Sequence, residues 1–197
     1  MTDFVNTWIK FFVLLAPFFA LSMFVLYTAD HTARERRNLA LKVTAAVFMV
    51  SLCLFFLGNA IFRVAGITID SFRVGAGALL FLSAVNLVKG GEQLGSKEED
   101  VAVVPLAVPI LVGPATTGAI LIMGAEMVTA TQKAVALGAL SCAILSVGIL
   151  LLLADPIERL IRHRGIVIMS KLTGLVLSAL AAQLIFDGAR NLLTLKP

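Results

Sequence analysis

The sequence predicts an all-α membrane protein with six transmembrane helices in two inverted three-helix repeats, the first and fourth helices being interrupted. Three observations predict it: an apolar excess, six long runs without charge, and an internal repeat of an odd number of helices. Of 197 residues, 59% are hydrophobic and 14% charged, and the mean hydropathy is +1.00. Soluble domains are about 45–50% apolar and roughly a quarter charged. A soluble core of this length could not bury the excess, which disfavours a soluble enzyme, a disordered tail or a secreted disulfide scaffold.

The runs free of Lys, Arg, Asp and Glu are Phe11–Ala29 (19 residues), Val43–Phe62 (20), Val74–Val88 (15), Val101–Ala125 (25), Ala134–Ala154 (21) and Leu172–Phe186 (15). A helix rises about 1.5 Å per residue and the hydrocarbon slab is about 30 Å thick, so a crossing takes roughly 20 residues. Four runs qualify directly. The third and sixth do so once their charged first turn is included. The first run is read as a retained helix and not a signal peptide: Asp3 and Lys10 precede it, and no small-residue cleavage site stands out.

Orientation follows from the basic residues. The segments after helices one, three and five contain ten Lys and Arg, against six on the other side. This places those segments in the cytoplasm and both termini outside. The net charge of +4 is spread over short interhelical segments, so nucleic-acid binding is not expected. Cys53 and Cys142 sit in apolar runs and are expected as small buried hydrophobes. His31 and His163, the two imidazoles, fall in charged loops, so neither a metal site nor a cofactor is expected.

At an offset of 99, Gly66-Ile67-Thr68-Ile69-Asp70-Ser71 matches Gly165-Ile166-Val167-Ile168-Met169-Ser170 at Gly, both Ile and Ser, and Gly75 falls on Gly174. Residues 1–90 and 101–197 then form the halves, with 91–100 a cytoplasmic linker. Three helices is an odd number, so the halves cross in opposite directions, the plan of many secondary transporters. A duplication retained for folding alone is the alternative.

Such transporters bind solute where helices are interrupted near the midplane. Pro105, Pro109, Gly113, Pro114 and Gly118 fall within the fourth run, and proline removes a backbone donor and clashes with the preceding turn. A helix restarting at Pro114 offers the amides of Ala115, Thr116 and Thr117 to a carboxylate, with the positive end of its dipole. The hydroxyls of Thr116 and Thr117 add hydrogen bonds or cap that end. A proline-kinked but continuous helix is the competing reading. Helix one has Pro17 alone; Pro17 and Ser22 are spaced as Pro109 and Pro114 are. The candidate binding residues are therefore Pro17, Phe18, Ser22, Pro109, Gly113, Pro114, Ala115, Thr116 and Thr117.

Charged groups in a bilayer cost about 2.5–3.5 kcal/mol each on insertion scales. Asp70 and Arg73, three apart on one helix face, can pair, either as a structural ion pair or as coupling groups. Asn86 and Gln183 line the path or bond between helices. Lys10, Lys42 and Lys171 flank spans and snorkel, and Glu126 is placed at the outer surface. Small residues at Ser71/Gly75 and Ser170/Gly174/Ser178/Ala182 read as packing seams.

The string Pro105-Leu106-Ala107-x-Pro109-x-x-x-Gly113-Pro114 resembles a signature of the MarC family of bacterial inner-membrane proteins. Gly66-Ile67-x-Ile69-Asp70-Ser71-Phe72-Arg73-x-Gly75-Ala76-Gly77 is similar to that family's third-helix motif, and Thr173-Gly174-Leu175-x-Leu177-x-Ala179-x-x-x-Gln183-x-Ile185-x-x-Gly188 to its last helix. The resemblance implies six helices in inverted halves, a bacterial plasma-membrane location and kinship with small neutral amino-acid transporters. The chain departs from the family pattern at Ala16, Phe19, Ser22 and Ala115, which makes the first half-site more apolar.

The function expected is a secondary transporter, an exporter or exchanger of a small neutral amino acid or similar zwitterion, working by alternating access. A non-transporting assembly or regulatory protein descended from such a transporter is the alternative. No nucleophile–base constellation or paired mid-span carboxylate points to an enzyme. The partners are the bilayer and a small solute, and a homo-oligomer is compatible with this reading.

Overall fold

A computed structural model describes residues 2–89, 112–127 and 129–194, and the elements among them are all α-helices. Numbered in chain order they are α1 (Thr2–Leu14), α2 (Pro17–Tyr27), α3 (Ala33–Ala65), α4 (Ile69–Lys89), α5 (Pro114–Glu126), α6 (Ala130–Leu152) and α7 (Ala154–Thr194). Five stretches are long and apolar enough to cross a membrane: Asp3–Tyr27, Ala33–Gly58, Ile69–Lys89, Ala130–Leu152 and Gly165–Thr194. The fourth expected span is described only from Val112 onward, so Pro105, Pro109 and the 91–100 linker lie outside the described residues. Its described part, α5, has 13 residues, a length of about 20 Å and well short of a full crossing.

Local chemistry sets the helix ends. Thr32 accepts from the Glu35 amide while the Glu35 carboxylate accepts from the Thr32 amide, and Thr129 and Gln132 repeat the arrangement at α6. These are reciprocal capping boxes. α3 stops at Gly66, whose φ of 64° and ψ of 23° give the left-handed C-cap that glycine adopts without steric cost.

Several expectations need correction. The charged stretch Arg159–Lys171, expected as a loop holding His163, lies inside the 41-residue α7. Pro156 falls in the first turn, where a missing N–H is tolerated, and a lone Gly165 does not end the helix as Gly66 does. At about 1.5 Å per residue, α7 is roughly twice the slab thickness, so its charged first turns project beyond it. Lys10, Lys42 and Lys171 are the second correction. They lie inside the candidate spans Asp3–Tyr27, Ala33–Gly58 and Gly165–Thr194, and not at span boundaries. Cys53 and Cys142 are the third: expected buried, both are exposed, on the outward faces of α3 and α6, where lipid suits a small apolar side chain as well as a core does.

Close backbone contacts organise the packing. α4 runs antiparallel to α7, with Gly174 against the Ala84 carbonyl and Gly188 against the Asp70 carbonyl. Gly75, expected in this seam, faces open space; Gly77, against Ala181 and Ile185, takes its place. α5 is pinned on α3, because a Cβ on Gly58 would meet the Leu121 carbonyl and one on Gly124 would meet that of Phe55. α1 packs on α6, and α2 on α7. Phe11, Leu15, Leu21, Phe24, Leu140 and Ile144 fill the shared core.

Candidate functional site

The first span is broken where Ala16 joins α1 to α2. Ala16 has φ 45° and ψ 59°, the left-handed region, and no other non-glycine among the described residues has positive φ. The residue before a proline is steered away from the right-handed helical region. Pro17 is itself well suited to a first helical position, since it has no N–H to leave unpaired. The Ala16 amide still donates to the Val13 carbonyl at 2.9 Å, and the Ala20 amide to the Ala16 carbonyl at 2.9 Å. The amides of Phe18 and Phe19 open the new helix and have no partner within it.

The second break has the same outline. Gly113 is the N-cap of α5 with φ −68° and ψ 175°, Pro114 opens the helix, and no side chain caps it. The Thr117 amide donates to the Gly113 carbonyl at 2.9 Å. Thr117 is therefore inside the hydrogen-bond ladder, contrary to expectation, and the amides at this end without intrahelical partners are those of Ala115 and Thr116.

Both breaks are deep. Ala16 lies 13 residues into the span that begins at Asp3, about 20 Å along it at the usual helical rise. Pro114 is 12 residues from Glu126, at the end where α6 begins, about 18 Å away. They also touch. The Thr116 hydroxyl, 6% exposed, donates to the Leu14 carbonyl at 3.3 Å. That carbonyl is left over at the C-terminus of α1, so each interrupted helix supplies a polar group that the other satisfies. The Thr117 hydroxyl donates to the Val112 carbonyl at 3.4 Å.

Leu14 also lines a cavity of about 260 Å³ between α1, α4, α5 and α7. Leu14, Leu80, Ala119, Ile122 and Leu180 give it apolar walls, while Lys10, Arg73, Glu126, Gln183 and Asp187 supply polar and charged groups. Arg73 binds Asp70 at 2.7 Å within α4 and reaches Glu126 on α5. Asn191 of α7 donates to the same Asp70 oxygen at 2.9 Å. The anticipated Asp70–Arg73 pair is present, and Glu126, expected as a bystander at the surface, is its third member.

The other expected site residues are not gathered here. Pro17 and Phe18 line a separate apolar groove of about 190 Å³ with Phe12, Val13, Met169, Leu172, Thr173 and Val176. Ser22 is half-buried on α2, and Asn86 is exposed near the end of α4 opposite Gln183. A second charged cluster went unforeseen. Arg36, at the start of α3, donates to the Thr28 carbonyl at 2.9 Å, pairs with Asp155 and approaches Glu158 at 3.9 Å. Its members are 119 residues apart, and nothing in the sequence pattern links them. The equal spacings Pro17 to Thr32 and Pro114 to Thr129, each 15 residues, are visible in the sequence and pair Pro17 with Pro114, not Pro109.

The profile of the MarC family integral membrane proteins matches residues 1–193. Three relatives called UPF0056 membrane proteins match nearly end to end. That of Aquifex aeolicus is 28% identical, covering 96% of this chain and 94% of its own. MJ1677 of Methanocaldococcus jannaschii is 30% identical, covering 96% and 97%. YhcE of Escherichia coli is 29% identical, covering 93% and 90%. No solved structure matches.

Proposed function

Because the chain belongs to the MarC family of integral membrane proteins, we propose that it is a secondary transporter, an exporter or exchanger of a small neutral amino acid or similar zwitterion, working by alternating access. The observation that carries this reading is the meeting of two interrupted helices at Leu14 and Thr116 beside a cavity lined by both signs of charge. A solute carboxylate takes the amides of Ala115 and Thr116, which have no partner within the helix, where the helix dipole is positive. Its ammonium group takes a carbonyl or carboxylate on the cavity wall.

In this reading the chain is a six-span protein of two inverted halves, 1–90 and 101–197, joined by 91–100. The matched Pro17 and Pro114 starts and the matched Thr32 and Thr129 caps support it. Inversion makes the two helix starts approach one midplane site from opposite sides. The ten-to-six bias of basic residues puts the Arg36 cluster at the cytoplasmic face of the plasma membrane and the Arg73 cluster, with both termini, outside. The chain has no catalytic role in this reading, and the Arg73 cluster serves the transport path.

Purified protein in liposomes tests it. The expected result is movement of a small neutral amino acid down an imposed gradient, reduced at least about tenfold by Thr116→Val and restored by Thr116→Ser. If no such solute moves through folded protein, the reading fails. One observation favours the non-transporting alternative: the Thr116 hydroxyl is already engaged by Leu14. In that case Thr116→Val lowers stability and nothing else.

A further inference from the structure

The cavity is polar where α4 and α5 are tied together. Arg73 is fixed from behind by Asp70, which Asn191 holds in turn, while its other terminal nitrogen bonds Glu126. The Arg73 and Asp70 side chains are 18% and 20% exposed, and that of Glu126 is 34% exposed. One carboxylate is therefore built in and the other stands at an opening. A guanidinium has five donors in a planar fork suited to two carboxylates. A partly buried guanidinium left without a partner is costly, so Arg73 stays paired whether or not a ligand is present.

We propose that Arg73 is the first carboxylate receptor, met at the mouth of the cavity before the amides of Ala115 and Thr116, and that Glu126 is its resident stand-in. An entering carboxylate replaces Glu126 on the guanidinium. This releases the α4–α5 tie and opens the chamber that ends at Leu14. Asp70 and Asn191 are positioning residues that keep the guanidinium in place during the exchange. Lys10 lines the same cavity and forms no ion pair among the described residues. It supplies attraction without holding the tie. The inference rests on the transporter reading for its biological sense, but the exchange itself requires no net transport.

The test therefore reads opening directly. Ala119, 5% exposed on the cavity wall, is replaced by Cys in a Cys53→Ser/Cys142→Ser background, and the protein is placed in lipid nanodiscs, where both faces meet solvent. The rate of modification by a small uncharged thiol reagent is then measured. Glu126→Gln is expected to raise the rate about tenfold, and Gly75→Ala, which faces open space away from the cavity, to leave it within about twofold. Acetate at matched ionic strength is expected to accelerate labelling over chloride in the Glu126 protein and to have no further effect in Glu126→Gln. Thermal melting verifies that each variant is folded. A folded Glu126→Gln protein that labels at the parent rate overturns the proposal, as does equal labelling in acetate and chloride. If labelling responds while liposomes move no amino acid, the exchange stands and the transporter reading falls. If solute moves while labelling is indifferent, the reverse holds.

Discussion

Ala16 meets its break in a left-handed conformation, φ 45° and ψ 59°, while Gly113 meets the other in an extended one, φ −68° and ψ 175°. The left-handed region costs an L-residue about 1–2 kcal/mol; the extended one costs nothing. The environments differ as well. Pro17 and Phe18 face an apolar groove walled by exposed Met169, Leu172 and Val176, whereas α5 has its wall on the charged cavity and is pinned to α3 by backbone contact. Both breaks leave amides without partners in their own helices, but the first stores strain in a greasy setting, and the second presents its amides from a fixed helix beside charged groups. Of two similar outlines, the second is equipped to hold an anion.

The pinning is the feature whose removal is expected to cost most. Gly124→Leu drives a side chain into the Phe55 backbone, which cannot yield as a flexible side-chain tip does. Overpacking costs typically about 1–3 kcal/mol, and backbone contact puts this case at the upper end or beyond. Melting of the detergent-solubilised protein, followed through the single Trp8, is expected to shift strongly or to find no folded protein. Gly75→Ala, facing open space, is the control and is expected to melt at the parent temperature or slightly above it, since alanine suits a helix better than glycine. Equal melting of the two would remove the pinning of α5 on α3.

Thr116→Val comes next. It leaves the Leu14 carbonyl buried and unpaired, at about 1–3 kcal/mol, and cuts the one hydrogen bond described between the breaks. Thr116→Ser is expected to recover most of the loss. Ala16→Gly acts in the opposite direction. Relief of the left-handed strain, less the entropy that glycine loses on folding, is expected to stabilise by about 0.5–1 kcal/mol. A destabilised Ala16→Gly would mean that the methyl group's packing, at 8% exposure, outweighs the backbone.

Much of this was legible in the sequence, and the limits have physical causes. Charge-free runs mark spans because lipid excludes charge, and Gly113-Pro114 marks a helix start because its backbone chemistry is local. Pro17 alone is ambiguous between kink and break. What decides it is the left-handed turn at Ala16, an alanine whose side chain carries no signal of that conformation. The Asp70–Arg73 pair is readable at three-residue spacing, but Glu126, 53 positions from Arg73, is joined to it only by the crossing of α4 and α5. Lys10 and the Arg159–Lys171 stretch mislead for one reason: a charged residue ends a greasy run without ending a helix.

The smallest expected effect on stability is also the most discriminating. Serine caps helices slightly better than glycine, by a few tenths of a kcal/mol, because its hydroxyl accepts from the first free amides. At Gly113 those amides are the ones of Ala115 and Thr116, and the extended backbone there accommodates a side chain without conformational strain. Gly113→Ser is therefore expected to leave melting unchanged or slightly raised while lowering solute flux in liposomes severalfold, because the new hydroxyl competes with the solute carboxylate for the same donors. A purely structural break would gain the cap and lose nothing. Flux that persists at the parent rate in a more stable Gly113→Ser protein would move the carboxylate away from α5 and leave Arg73 as its receptor.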